Sequence, residues 1–172
     1  LSSAASDVYK RQIAGCVGTS NVLTGQMFGV PVKGTHAHSW IMSFPDEYTA
    51  FKTYADLYPD ACILLVDTYD TLRSGVPNAI RVFKEMREKG IDLKGYGIRL
   101  DSGDLAYLTK KARKMLDDAG FEDAIISASS DLDEYLIDSL KTQGAAITSW
   151  GVGTNLITSK DCPSFGGVYK LA

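Results

Sequence analysis

The stretch Tyr96-Gly-Ile-Arg-Leu-Asp-Ser-Gly-Asp104 decides the fold. It opens on a short apolar run, Tyr96 to Ile98, with the character of a buried strand. It closes on polar, glycine-containing residues. From about Asp104 to Ala119, Leu105, Leu108, Ala112 and Met115 then recur at helical spacing, and Gly120 ends the run. The same unit recurs on both sides. Upstream, Cys62 to Val66 ends in Asp67-Thr-Tyr-Asp70, and Val30 to Lys33 ends in Gly34-Thr-His-Ala-His-Ser39. Downstream, Ala124 to Ser127 ends in Ala128-Ser-Ser-Asp131, and Ile147 to Trp150 ends in Gly151-Val-Gly-Thr154.

Strands alternating with helices predict an α/β fold built on a parallel sheet. Ligands of such folds bind outside the carboxyl ends of the strands, where the polar residues of every unit fall. A closed eight-stranded barrel needs roughly 250 residues, and this chain has 172. The choice is therefore an open sheet or part of a barrel. A further strand is predicted at Val168 to Leu171, after Gly166-Gly167, and the chain stops just beyond it, which favours an incomplete barrel.

The connecting helices can be placed from their stripes and ends. One is predicted over about Ser20 to Phe28, capped by Thr19 or Ser20 and ended by Gly29. A second covers about Asp46 to Tyr58, with Ser43 or Phe44 just outside, Pro45 in the first turn and Pro59 closing it; Phe51, Tyr54, Ala55 and Tyr58 share its inner face. A third covers about Gly75 to Lys89, with Val76, Ala79, Ile80, Phe83 and Met86 inward. The last covers about Asp131 to Thr142, with Leu132, Leu136 and Leu140 inward and Asp131 at its start.

Composition is that of a globular domain, 45% hydrophobic and 23% charged. A net charge of -3 leaves no basic footprint for duplex nucleic acid. Small phosphorylated anions stay open, because backbone N–H groups bind phosphate without net positive charge. No apolar stretch approaches the ~18 residues of a membrane span. Cys16, Cys62 and Cys162 are scattered and odd in number, so neither a zinc site nor a disulfide framework is indicated, and reduced thiols in a cytoplasmic setting are expected. Cys62 reads as a core residue. Leu1 to Gln12 is Ser/Ala-rich without a period and reads as a disordered or foreign lead-in, leaving 13–172 as the partial barrel domain.

The polar strand ends carry the chemistry. His36 and His38 are the two histidines, and on a strand their i, i+2 spacing would put them on one face. They suit a metal pair completed by Asp67 or Asp101, one working histidine acting as nucleophile or proton carrier, or a hydrogen-bonded structural pair. Asp67 directly after a buried strand suits ribose hydroxyls or hydrated Mg²⁺, with Asp70 the better helix cap. Arg99 and Asp101 can face one cavity, where Arg99 would bind carboxylate or phosphate; an ion pair with Asp101 or Asp67 is the plainer alternative. Ser129-Ser130-Asp131 and Gly151-Val-Gly-Thr154 resemble phosphate cradles on adjacent strand ends. With no P-loop and no dinucleotide fingerprint after a strand, a sugar phosphate fits them best.

Several stretches occur together and in order: Gly18-Thr-Ser-Asn21, Gly34-Thr-His-Ala-His-Ser-Trp40, Val66-Asp-Thr-Tyr-Asp70, Gly97 to Leu105, Ser149-Trp-Gly-Val-Gly-Thr154 and Gly166-Gly-Val-Tyr-Lys170. Over about Ile13 to Ala172 the chain closely resembles the nicotinate phosphoribosyltransferases. The resemblance implies a type II phosphoribosyltransferase fold, an irregular α/β barrel. It implies formation of nicotinate mononucleotide and pyrophosphate from nicotinate and phosphoribosyl pyrophosphate, with ATP hydrolysis coupled through a phosphorylated histidine at the Ala-His-Ser position, here His38. It also implies ATP and Mg²⁺ as cofactors and a homodimer with sites at the subunit interface.

On that resemblance Arg99 would meet the nicotinate carboxylate or a phosphate. Asp67 and Asp101 would hold ribose hydroxyls or Mg²⁺-bound pyrophosphate, with no firm metal ligand beyond this use of Asp67. Thr35, Ser39, Ser129, Ser130, Gly151, Gly153 and Thr154 would bind substrate or phosphate. The family's N-terminal region is absent, with its pyridine-stacking aromatic residues and an Arg before Gly-Thr-Ser-Asn, so the lone chain is expected to be inactive. The rivals are a nicotinamide-specific phosphoribosyltransferase, a metal-dependent hydrolase using His36 and His38, and a non-catalytic phosphate-binding module.

Overall fold

The computed structural model describes residues 15–157. The expected lead-in at 1–12, Cys162 and the Gly166–Leu171 strand lie outside the described residues. The chain divides between Thr35 and His36 into two compact units.

The first unit holds helix α1, Val22–Phe28. Its cap is Asn21, whose Oδ1 accepts the Thr24 N–H at 3.0 Å, so neither Thr19 nor Ser20 fills that role. Gly29 ends the helix in the left-handed region, as expected. The strand predicted over Val30 to Lys33 is reduced to a single parallel bridge, Thr19 with Val32. The reason lies in the sequence: Pro31 has no N–H to give a ladder. The Thr19 N–H donates to Pro31 O, and the Lys33 N–H donates to Thr19 O, each at 2.9 Å.

The second unit is a parallel sheet covered by helices. Its strands are β1 (Ile63–Leu65), β2 (Gly97–Leu100), β3 (Ile125–Ala128) and β4 (Ser149–Trp150), in the spatial order β1-β2-β3-β4. Leu64 pairs with Ile98, Ile98 with Ile126, and Ala128 with Trp150. Gly97 allows β2 and β3 to close up, since a Cβ there would lie 2.0 Å from Ile125 O. All four strands run the same way, so Asp67, Asp101, Ser129 and Gly151 emerge at one edge.

The helices are α2 (His38–Met42), α3 (Glu47–Leu57), α4 (Val76–Glu88), α5 (Leu105–Asp118), α6 (Glu134–Thr142) and α7 (Thr154–Ile157). Helix α2 was not expected: the motif Gly34 to Ser39 leads directly into a helical turn rather than following a strand. Asp46 caps α3, accepting the Thr49 N–H at 2.8 Å, so Pro45 precedes the helix rather than standing in its first turn. Asp70 caps the π-helical turn Thr71–Gly75 that leads into α4, accepting from Leu72 and Arg73. Asp104, where the predicted helix begins, caps α5, its Oδ1 accepting the Tyr107 N–H. Helix α6 starts later than predicted: Asp131 sits at φ 46° in a turn, and Asp133 is the cap. Leu132 and Leu140 are buried while Leu136 is 37% exposed, a correction to the inward stripe.

The core lies between sheet and helices: Leu64, Ile98, Leu100 and Ile126 from the strands, Phe51 from α3, Phe83 from α4, Leu116 from α5 and Phe121 beyond it, all at zero exposure. Ile80 and Met115 pack half-buried against the core as expected, and Val82 and Leu116 are buried beside them. Tyr58 is exposed rather than on the inner face of α3. Cys62 is fully buried, and burial pushes its thiol up to about 12. Among the described residues no helix is long and apolar enough to cross a membrane.

Candidate active site

The carboxyl ends of β1 and β2 are locked together by one carboxylate. Asp67 Oδ2 accepts the Asp101 backbone N–H at 2.8 Å and the Ser102 hydroxyl at 2.6 Å. Its side chain is 2% exposed. The other oxygen, Oδ1, is buried without a hydrogen-bond partner among the described residues. A charged oxygen in that state is costly unless a cation or donor comes to it. The His38 ring faces it, with Nε2 4.0 Å away.

His38 stands at the first turn of α2 and reaches the sheet edge. Its Nδ1 is 3.0 Å from Thr68 Oγ1, and its Nε2 is also 3.8 Å from Asp101 Oδ2. The Asp101 carboxylate is 34% exposed and carries Arg99 Nη2 at 3.9 Å on the same oxygen. Ser129 donates its hydroxyl to Asp101 Oδ1. His38, Asp67, Arg99, Asp101 and Ser129 therefore meet in one place, drawn from α2, β1, β2 and β3. The Arg99–Asp101 pair exists, between two part-exposed side chains.

His36 takes no part in that cluster. Its ring packs edge-on to Tyr54 at 4.6 Å, and its Nε2 accepts the Leu65 backbone N–H at 3.3 Å. Burial holds its pKa at about 4, helped by Arg99 and His38 and opposed by a backbone bond at Ala37. It is a neutral structural histidine. The shared face expected for His36 and His38 fails because they do not lie on a strand: one anchors β1 and the other opens a helix. Among the described residues no group of three or more His, Cys, Asp or Glu side chains is arranged to hold a metal ion.

The expected phosphate cradles come close at Ser129 and Gly151, where a Cβ on the glycine would lie 3.4 Å from that of Ser129. Both backbone N–H groups are already engaged, Ser129 to Leu100 O and Gly151 to Ala128 O. Ser130, at φ 103°, turns the chain away after β3. Gly153 has open space where a Cβ would project, and Thr154 begins α7. Ser39 lies half-buried on α2 beside His38. Thr35 ends the first unit.

Two residues beside the cluster carried no assignment from sequence. Thr68 and Ser102 each follow a site aspartate by one position, and a hydroxyl next to a strand-end carboxylate was the available signal. Glu47 was also missed. It is buried at the start of α3, accepts from Ser74 and Asn78, and burial raises its pKa.

A family model described as the nicotinate phosphoribosyltransferase (NAPRTase) family matches residues 2–165. The chain is 62% identical over 159 residues to a nicotinate phosphoribosyltransferase of Bacillus subtilis (strain 168), covering 92% of this chain and 32% of that protein. It is 32% identical over 212 residues to a human protein of the same name, covering 92% of this chain and 39% of the other. The crystal structure of human nicotinic acid phosphoribosyltransferase superposes with a TM-score of 0.73 at 29% identity, over 82% of this chain and 38% of that one. The chain thus spans about a third of the length of the curated relatives it matches.

Proposed function

The chain belongs to the nicotinate phosphoribosyltransferase family, and we propose that it supplies the phosphoribosyl- and ATP-handling part of an enzyme making nicotinate mononucleotide and pyrophosphate from nicotinate and phosphoribosyl pyrophosphate. The observation that carries this reading is the meeting of His38 with Asp67, Asp101 and Arg99 at the strand ends. The same reading includes a cytoplasmic homodimer with sites completed at the subunit interface.

Displacing pyrophosphate from the ribose carbon builds positive charge on the sugar and negative charge on the leaving group. Positioning and electrostatics are then the catalytic resource. Arg99 meets an anion, either the nicotinate carboxylate or a phosphate. Burial divides the two aspartates: Asp101 is open enough to touch ribose hydroxyls or a cation, and Asp67 holds Asp101 and faces His38. The carboxylate pair fits Mg²⁺, which takes one or two protein carboxylates and completes its shell with phosphate and water; when bound it neutralises pyrophosphate charge. Ser130, Gly153 and Thr154, next to the Ser129 and Gly151 turns, receive the 5′-phosphate, and Ser39 adds a polar contact to substrate.

His38 accepts the γ-phosphoryl group of ATP in this reading. The modified ring places added negative charge beside Arg99 and Asp101, which reorders the pyrophosphate position. The test is a chimera in which this chain replaces the matching span of the Bacillus subtilis relative. The expected result is nicotinate mononucleotide formation coupled to ATP hydrolysis, with nicotinamide a poor substitute. His38→Ala should uncouple the two reactions and leave ATP-independent turnover. Coupling that survives His38→Ala would overturn the role, and stoichiometric tightly held zinc with hydrolase activity would favour the metal-dependent alternative.

A further inference from the structure

We infer that Asn155 is a positioning residue for the 5′-phosphate of phosphoribosyl pyrophosphate, its side-chain amide holding the turn after β3 in the shape that presents backbone N–H groups to that anion. The role rests on the phosphoribosyltransferase reading above and deepens it. Ser130 and Asp131 follow β3 with φ of 103° and 46°, and among the described residues they are the two positions other than glycine in the positive range. A Cβ makes that region costly, so such a pair persists only where the surroundings impose it. The turn starts inside the site, where the Ser129 hydroxyl donates to Asp101.

Three ties impose it. Leu132 buries its side chain completely, and Asp133 caps α6, accepting the Leu136 N–H at 2.8 Å. Both belong to the turn's own run of chain. The third tie comes from the neighbouring strand end. Asn155, half-buried in α7, donates its Nδ2 to Asp131 O at 2.6 Å and to Leu132 O at 3.4 Å. Carbonyl oxygens only accept, so the amide nitrogen and not the amide oxygen has to face them, and its two hydrogens serve both.

The planar peptide converts that tie into an orientation. Among the described residues no peptide bond is cis, and in a trans unit the C=O and the following N–H point opposite ways. Fixing Asp131 O toward Asn155 therefore turns the Leu132 N–H away from it. No described residue accepts the N–H of Ser130, Asp131 or Leu132. Three consecutive donors, on a turn whose first two residues are exposed, suit the several oxygens of one phosphate group. Asn155 follows directly on Gly153 and Thr154, so one stretch of backbone carries the second cradle and the side chain that holds the first. A turn held before the ligand arrives loses less freedom on binding. The 5′-phosphate keeps its charge throughout the reaction. Contacts to it are made alike before and at the transition state, and their loss is read in KM rather than kcat.

The test is Asn155→Ala in the Bacillus subtilis chimera. KM for phosphoribosyl pyrophosphate should rise about fivefold, the net worth of one hydrogen bond. The kcat and the KM values for nicotinate and ATP should stay where they were. KM does not depend on how much of the enzyme is folded, so a destabilised variant still reports. Asn155→Gln keeps the amide donor on a longer stem and should return part of the affinity. Asn155→Asp has no donor for the two carbonyls and should return none. An unchanged KM for phosphoribosyl pyrophosphate in Asn155→Ala, a rise shared equally by all three substrates, a fall in kcat alone, or an Asn155→Asp enzyme with the parent's KM overturns the role and leaves the phosphoribosyltransferase reading standing. A folded chimera that retains Asn155 and turns over none of the substrates overturns that reading and the role with it.

Discussion

The Asp67 carboxylate accepts the backbone N–H of Asp101 at 2.8 Å, so the turn after β1 holds the turn after β2. The same oxygen takes the Ser102 hydroxyl. Asp67→Ala leaves a part-buried N–H and a hydroxyl without their acceptor. The expected loss is about 1–3 kcal/mol of unfolding free energy, read from a urea midpoint. Asp67→Asn keeps a carbonyl oxygen for Asp101 and should lose less. Equal losses in the two variants would show that charge, not acceptance from Asp101, is what the site needs.

Gly75 lies against the strand end that feeds this site. A Cβ there would meet Val66 O at 1.9 Å and two further Val66 backbone atoms within 2.9 Å. Backbone cannot swing aside as a side-chain tip can, so Gly75→Ala should cost about 1–3 kcal/mol or more and displace Asp67 with it. Gly153→Ala is the contrast: nothing stands within 4 Å of its Cβ position. Its stability should stay within about 0.5 kcal/mol of the parent, while phosphoribosyl pyrophosphate affinity in the chimera falls if backbone must approach the 5′-phosphate. Unaltered affinity would remove Gly153 from the cradle.

Cys16 is exposed and Cys62 is buried with its thiol pushed up to about 12. The thiolate is the reactive form. Alkylation near neutral pH should therefore modify Cys16 at once and Cys62 only as the chain unfolds, as peptide mapping over a denaturant series would show. Labelling of Cys62 in native buffer at the rate of Cys16 would mean that β1 opens locally.

The fold was legible wherever local chemistry and tertiary placement agree. β2, its polar end and the start of α5 could be read from residues 96–105 because strand, turn and helix stripe each have a residue-level cause there. Pro31 should have demoted the run Val30 to Lys33, since a missing N–H counts for more than apolar character in a ladder. Helix α2 was hidden because Ala37 gives it no side-chain cap. The convergence of His38, Asp67, Arg99 and Asp101 follows from strand ends sharing one edge, so the sequence could nominate it. The split between His36 and His38 could not be read: it depends on Tyr54 and the Leu65 N–H, residues brought near by the fold alone.

His36 gives the pH dependence a sign. Its Nε2 accepts the Leu65 N–H, and protonating that nitrogen would break the bond inside the core. Folding lowers its pKa from 6.5 to about 4. Between those values the unfolded chain binds a proton at His36 and the folded chain does not, so stability rises with pH across this window. The contribution is complete above pH 6.5 and is lost as pH falls toward 4, at most about 3 kcal/mol for a displacement of this size. Glu47, whose pKa is raised by burial, works in the opposite direction, losing stability as pH rises above its unfolded value. A difference between two chains that both retain Glu47 cancels that opposing slope. His36→Gln supplies the second chain, because its amide oxygen can accept from Leu65 without titrating. Denaturation midpoints from pH 7 to pH 4 should fall more steeply for the parent than for His36→Gln, whatever the offset between them at pH 7. Parallel curves would mean that His36 titrates alike in the folded and unfolded chains, and that the Leu65 bond does not hold it neutral.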